Sequence, residues 1–339
     1  MVESIIQRWR SHRNRKMLQS SYSAEYAFVG IGSHALQNLY PVLQYLGIRL
    51  KYICCRTQEK LPSIERRFGV MATTSLDKIL DDGDVKGVFV CASPQSHYEI
   101  CTRVIESGKY LFVEKPPCQT LEELECLIKS DKRRLTTVGM QKRYSPLTAI
   151  LNKRLSKKEV ISYTLSYHTG AYPEGEPFTD LFIHPVDLAL FLFGDAEITA
   201  FQRSDRNGMS TVQTLLSHGK TKGIIEMSTH YSWASSKEYL HVNTLSGEYC
   251  LDQMERLCHY PHPRKIVGVP VEKLGRYSIS EQILAGRNNF NPLIGNNQLY
   301  TQGFFSEIKS FADMVEHHGE NMSPLYTLCN TYRLLAGLQ

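Results

Sequence analysis

Two groups of side chains in this sequence are of types and spacings that can do chemistry. The run Tyr110 to Pro116 reads Tyr-Leu-Phe-Val-Glu-Lys-Pro and sets a carboxylate, Glu114, and an ammonium, Lys115, directly after a strand-like apolar stretch. Asp180-x-x-x-His184-x-x-Asp187 follows, just ahead of the apolar run Leu188 to Phe193. In a helix the i, i+4, i+7 spacing puts all three polar groups on one face. Pro185 fits only if that helix begins near Asp180, which leaves the proline in or just beyond the first turn. A buried Asp-His pair with no task would be costly to keep dry, although a helix cap with a satisfied core histidine is the plainer alternative. Such groups can take a proton from a substrate hydroxyl. Histidine is poised for that near neutral pH, and a lysine beside another cation has its pKa lowered by like charge and desolvation. Either group can accept the proton while the other steadies the oxyanion; our reading makes His184 the base and Lys115 the polariser.

These groups need a frame. From residue 26 short apolar runs alternate with helical periodicities, the pattern of βαβ units on a parallel sheet. Strands are predicted near Tyr26–Val29, Leu50–Cys54, Gly87–Cys91, Tyr110–Val113 and Thr136–Val138. Helices are predicted near Ala35–Tyr45, Glu59–Phe68, Ser75–Leu80, His97–Ser107 and Leu121–Lys132, with a capping box Thr120-x-x-Glu123 and terminating glycines Gly47 and Gly108.

After the first strand comes Gly30-Ile-Gly32-Ser33-His34-Ala35. Gly30 allows the tight turn, Gly32 admits a pyrophosphate against the backbone, Ala35 permits close packing, and the N–H groups from Ser33 and His34 onward face the phosphates. The second strand ends in Cys54-Cys55-Arg56-Thr57 rather than in the acid that would hold ribose hydroxyls, so Arg56 is expected to pair with a 2′-phosphate and to favour NADP over NAD. Ligands of open α/β sheets lie outside the carboxyl ends of the strands, which adds Ser93, Pro94 and His97 after the third strand and Glu114 and Lys115 after the fourth. His97 is expected to cap the next helix or to line the site, the cap being favoured. Pro116 and Pro117 keep Lys115 out of a helix.

Beyond about Ser145 strand-like runs at Val160–Tyr167, Ile198–Arg203, Thr211–Ser217, Gly223–Thr229, Tyr239–Leu245 and Glu248–Leu251 follow one another, which points to a largely antiparallel sheet in an α+β domain. Tyr260–Asn297 reads as an irregular excursion, and helices near Thr301–Glu316 and Pro324–Ala336 close the chain. The expected organisation is a basic extension over 1–24, a dinucleotide-binding domain over 25–144 and an α+β substrate and oligomerisation domain over 145–339.

Composition narrows the alternatives. A chain of 339 residues with 42% hydrophobic content supports two cored domains, and no apolar run approaches the roughly 20 residues of a membrane span. Most of the net charge of +5 sits in residues 1–20, where Arg8, Arg10, Arg13, Arg15 and Lys16 face only Glu3. A basic appendage with Ile5, Ile6 and Trp9, rather than a basic stripe on the folded body, argues against nucleic acid as partner. The nine cysteines have no disulfide-like spacing, so a cytoplasmic location is expected. Cys258-His259-x-x-His262 lacks a second ligand pair, and no metal is expected.

The set G-I-G-S-H-A, S-P-Q-S-H, V-E-K-P, V-G-M-Q-K-R-Y-S-P at 138–146 and D-L-F-I-H-P-V-D at 180–187 resembles the Gfo/Idh/MocA family of glucose-fructose oxidoreductase and inositol dehydrogenase. The resemblance implies an N-terminal Rossmann domain with a parallel sheet and a C-terminal α+β domain with a largely antiparallel open sheet, often used for homo-dimers or homo-tetramers. It implies hydride transfer at a sugar, polyol or nucleotide-sugar carbon, with Lys115 as catalytic lysine, Asp180 orienting substrate and His184 as acid/base. Arg143 and Tyr144 match the segment lining the nicotinamide and substrate pocket. Phe182, where the family often has glycine, and the loop Tyr172 to Pro177 depart from the pattern, and Tyr172 is a candidate substrate contact. Redox-assisted glycoside cleavage and a cofactor-sensing binding protein are the alternatives.

Overall fold

The computed structural model describes residues 2–18, 21–275, 280–290 and 292–339. They form two compact units, one of residues 1–139 with 307–325 and one of 140–306 with 326–339.

The first unit is built on a six-stranded sheet of β1 (Glu25–Val29), β2 (Arg49–Cys54), β3 (Met71–Thr73), β4 (Val85–Val90), β5 (Tyr110–Glu114) and β6 (Thr136–Gly139), in the order β3-β2-β1-β4-β5-β6. Every pairing is parallel. The order reverses between β1 and β4, the switch point at which such sheets bind ligands. The helices are α1 (Val2–Leu18), α2 (Tyr40–Leu46), α3 (Leu61–Phe68), α4 (Asp77–Leu80), α5 (Pro94–Glu106) and α6 (Leu121–Ser130). The three-residue β3 is too short for its periodicity to announce it. In α1, Ile5, Ile6 and Trp9 are exposed. Residues 1, 19 and 20 of the basic extension lie outside the described residues.

The capping box forms as expected, with Thr120 Oγ1 accepting from the Glu123 N–H at 3.2 Å. The reciprocal bond goes one residue further out, from the Gln119 N–H to Glu123 at 2.7 Å. Gly47 and Gly108 end their helices in the left-handed region, at φ 70° and 75°.

In the second unit an eight-stranded sheet contains β7 (Val160–His168), β8 (Glu197–Arg206), β9 (Met209–His218), β10 (Thr221–Ser228), β11 (Lys237–Thr244), β12 (Gly247–Asp252), β13 (Arg256–Pro261) and β16 (Gln282–Gly286). It is antiparallel except for β7 beside β10. A two-stranded ribbon, β14 (Lys265–Ile266) and β15 (Val269–Pro270), lies between β13 and β16 in sequence. The stretch expected to be irregular therefore contributes an edge strand, β16, masked in sequence by the glycines and prolines around it. Residues 276–279 and 291 of that stretch lie outside the described residues.

Register aligns Thr214, Ile225, Leu165, Leu240, Leu251 and Leu257 in one continuous row across the sheet, all buried. The neighbouring row, with Leu215 and Ile224, is exposed. One face thus packs under helices α7 (Pro146–Leu155), α8 (Ile183–Phe193) and α11 (Cys329–Gly337), and the other is open. A short α9 (Gln298–Thr301) leads into α10 (Phe304–His317).

From Glu307 onward α10 returns to the first unit. Phe311 meets Phe89 edge-on at 5.0 Å and Phe112 at 5.8 Å, while Glu316 accepts from Tyr26 Oη at 3.0 Å at the start of β1. The helix therefore runs antiparallel to the strands. Ser323 then bonds both the N–H and the carbonyl of Val138, covering the exposed edge of β6.

Candidate functional site

In the first unit the chain leaves β1 through Gly30 at φ 111°, a conformation that side chains rarely adopt; a Cβ there would lie 2.0 Å from the Cys91 carbonyl oxygen. The turn is thus pressed against the loop after β4. At Gly32 a Cβ would meet nothing within 4 Å, so the backbone faces open space. The helix then widens into a π turn over Ala35–Leu39. Pro41 explains it: the proline lacks an N–H, and its ring would collide with the carbonyl one α-turn back.

A cleft of about 530 Å³ lies over this turn, lined by Gly30, Gly32, Ser33, His34, Arg56 and Ser93 among the expected contacts. Thr57, Lys60 and Arg103 also line it, and no Asp or Glu does. Lys60 and Arg103 were not foreseen; one stands in a helix-start segment, the other a turn before a helix end, where basic residues ordinarily read as solvated. Arg103 is additionally paired with Asp77. Cys54, Cys55 and Cys91 line the same cleft as buried thiols; burial pushes Cys54 up to about 11, out of the reactive range.

Ala35, Pro94, His97, Glu114 and Lys115 adjoin this lining. Ala35 is buried under the turn. Pro94 opens α5, with Ser93 at the capping position, so His97 is not a cap. It lies inside the helix, buried, with Nδ1 2.7 Å from the Pro116 carbonyl and Nε2 3.1 Å from the Ala92 carbonyl. Burial lowers its pKa, and a neutral ring has one N–H to donate, so only one of these contacts is a hydrogen bond at a time. His97 thereby ties the Lys115–Pro116 segment, whose peptide bond is cis, to the loop after β4.

Glu114 is buried at the end of β5. Asn38 donates its amide to His34 Nδ1 at 2.9 Å, which leaves the other ring nitrogen to carry the proton toward Glu114 at 3.3 Å. Burial alone would raise the Glu114 pKa, but His34, Lys115 and His97 outweigh it and hold the carboxyl below its usual range. The Lys115 N–H donates to the same carboxylate at 3.3 Å.

In the second unit the polar triplet divides. Phe178–Phe182 forms a π turn and α8 follows, so Pro185 lies well inside the helical stretch rather than near its start. The widened turn removes the same clash as at Pro41 and breaks the 3.6-residue spacing on which a single polar face depended. Asp180 and His184 are buried. Asp180 accepts from the Glu176 N–H at 3.1 Å. A Cβ on Gly175 would stand 2.2 Å from Asp180 Oδ2 and 2.7 Å from the Tyr172 ring, so the Tyr172 loop closes on Asp180 only with glycine there. Burial, then Asp180, pushes the Tyr172 phenol up to about 12.

Asp187 turns elsewhere, receiving Nε of Arg143 at 2.8 Å and a second nitrogen of the same guanidinium, with Thr331 adding a bond at 3.3 Å. Arg143 also donates to Thr327. Arg143, expected to contact cofactor, forms a buried ion pair that braces α8. Tyr144 is buried beside it in the 3-10 turn Gln141–Tyr144. Lys142 pairs with Glu238 under the Tyr167 ring, and His168 stacks on Tyr231 at 4.1 Å, so Tyr167 and His168 serve the sheet. Among the described residues no group of three or more His, Cys, Asp or Glu could hold a metal ion.

The family model described as "Oxidoreductase family, NAD-binding Rossmann fold" matches residues 24–142. Residues 24–142 thus match the NAD-binding Rossmann domain of the Gfo/Idh/MocA oxidoreductase family. It is 32% identical over 203 residues to the uncharacterized oxidoreductase YhhX of Escherichia coli, a match covering 54% of this chain and 58% of the relative's length. It is 25% identical over 263 residues to inositol 2-dehydrogenase of Rhizobium meliloti, covering 73% and 75%. A dehydrogenase structure from Chromobacterium violaceum superposes with a TM-score of 0.80 at 19% identity over 94% of each chain. The matched NAD-binding Rossmann model spans the six-stranded sheet of the first unit, and a dinucleotide fits the open backbone at Gly32 and the cleft lined by no Asp or Glu among the described residues.

Proposed function

We propose that this protein is an NADP-preferring oxidoreductase that transfers a hydride between nicotinamide and a carbinol or carbonyl carbon of a sugar, polyol or nucleotide sugar. The observation that carries the reading is the cleft over the Gly30–Ala35 turn, lined by Arg56, Lys60 and Arg103 and by no carboxylate. Arg56 and Lys60, beside an Arg103 already paired with Asp77, suit a 2′-phosphate, and among the described residues the lining lacks the acid an NAD site employs for the ribose hydroxyls. Gly30, Gly32, Ser33 and His34 would hold the pyrophosphate. When bound, the dinucleotide supplies the hydride acceptor or donor.

Lys115, anchored through its backbone to Glu114, polarises the substrate oxygen, and His184 takes the hydroxyl proton in oxidation or returns it in reduction. Asp180, held by the Tyr172–Glu176 loop, orients the substrate hydroxyls. The match to an inositol dehydrogenase supports the polyol class. The exposed row containing Leu215 and Ile224 supports a homo-dimer or homo-tetramer through the open sheet, and the nine free cysteines support a cytoplasmic location. Among the described residues no helix is long and apolar enough to cross a membrane.

The test is to follow NADPH absorbance against a panel of polyols and keto sugars with wild-type protein and Lys115→Ala. Net cofactor turnover that falls by about 10²- to 10⁴-fold in the variant is expected. Product formation without net cofactor change would replace this reading with redox-assisted glycoside cleavage, and equal turnover by Lys115→Ala would remove the lysine from its role.

A further inference from the structure

Glu307 has no part in the chemistry described so far, and its position demands an explanation. It lies in the apolar stripe of α10 with Phe304, Ile308 and Phe311, is 0% exposed, and neither carboxyl oxygen has a hydrogen-bond partner among the described residues. One turn along, Phe311 is wedged against Phe89 and Phe112, so the helix cannot roll to bring Glu307 to water without unpacking the sheet. The charge of Glu114, itself buried and immediately preceding Lys115, acts on this carboxyl. The other titratable groups around the pair are Lys115 just after β5, Cys91 just after β4, His34 from the turn after β1 and His97 from α5. His34, Lys115 and His97 act on Glu114, whereas among the described residues Glu114 is the charged group that acts on Glu307.

Two carboxylates cannot both stay ionised in such a place, because the second charge gains neither water nor a counter-ion. We propose that Glu307 is a positioning residue: its buried, unbonded carboxyl keeps its proton while Glu114 is ionised, so that a single negative charge stands behind Lys115. Burial and the Glu114 charge both push the Glu307 carboxyl well above the carboxylate range, while Glu114 is held below it, in keeping with the proton residing on Glu307. Raising the pH far enough releases that proton to solvent and leaves two anions behind the lysine. The consequence for Lys115 rests on the proposed hydride-transfer reading; the protonation of Glu307 does not.

Infrared spectroscopy of the protein without cofactor decides the first part. A protonated carboxyl stretch at neutral pH that shifts in heavy water, moves with isotope-labelled glutamate and vanishes in Glu307→Gln supports the inference. Absence of the band in wild type, or its persistence in Glu307→Gln, overturns it. Should the variant fail to fold, loss of the labelled wild-type band on alkaline titration supports the inference, and a neutral-pH spectrum without it overturns it. The second readout is the pH dependence of NADPH fluorescence on binding. An alkaline limb is expected in wild type and none in Glu307→Gln, which mimics the neutral acid; a limb that persists in the variant overturns the link to the site. If no dinucleotide binds, the proposed function fails while the infrared result still stands on its own.

Discussion

Asp187 in the second unit and Glu307 in the first are carboxyls taken out of water to the same degree, 1% and 0% exposed, yet their surroundings are opposite. Asp187 receives the fork of Arg143 and a threonine hydroxyl, so its charge is answered on the spot. Glu307 has no hydrogen-bond partner among the described residues and lies in the field of another carboxyl, Glu114. A buried charge that is fully answered braces a fold; a buried acid placed beside an anion is a store of one proton. The comparison separates architecture from chemistry more sharply than burial does, since Arg143 and Glu307 would look equally important on burial alone.

The largest effect that could break this contrast is removal of the fork. Arg143→Leu strands Asp187 in the interior and should cost about 3–5 kcal/mol, measured by denaturant unfolding of the second unit. Pairing it with Asp187→Leu should recover most of that loss, because the apolar pair carries no desolvation penalty. Failure of the double variant to recover would show that the ion pair does more than compensate itself. Next is Gly175→Ala, whose Cβ would intrude on Asp180 and the Tyr172 ring; a loss of about 1–3 kcal/mol is expected, with the Tyr172 loop displaced in its protease sensitivity.

Glu307→Gln acts with the opposite sign. The Glu307 pKa is raised on folding, so the native state keeps a proton that the unfolded chain gives up once the pH passes the ordinary carboxylate range. Native stability therefore falls as pH rises through that window toward the raised value. The glutamine variant, which has no proton to keep, should match wild type in acid and gain on it by about 1–2 kcal/mol as the pH rises, read from melting curves across pH. Glu114, held below its usual range, behaves conversely, its contribution present above the unfolded value and lost as the pH falls through the folded one. The smallest effect is the control: Thr120→Ala should cost about 1 kcal/mol at every pH, having removed a helix cap and nothing else.

Much of the frame is legible in the residues because local rules and global fold agree there. Gly30 can stand only in such a turn, the capping box announces α6, and the apolar runs that end in Glu114 and Gly139 are too short for helices. The site is less legible where a proline acts over several residues: Pro185 reads as the mark of a helix start, whereas it is absorbed by a widened turn that begins at Phe178. Arg143 carries no local sign of its partner, since the ion pair with Asp187 depends on how α8 packs. His97 reads as a cap because it follows Ser93-Pro94 so closely, and only the packed structure reveals two carbonyls around its ring. Glu307 did leave a trace, an acid inside the apolar stripe of an amphipathic helix, but the sheet on which α10 packs belongs to sequence some two hundred residues earlier.

The most direct test of the account is fluorescence titration of the purified protein with NADPH and NADH, repeated for Arg56→Ala. The acid-free cleft predicts that NADPH binds more tightly and that the variant loses about ten- to a hundredfold of NADPH affinity while NADH is little affected. Tighter binding of NADH, or no binding of either by protein shown on denaturation to carry no nucleotide, would contradict it.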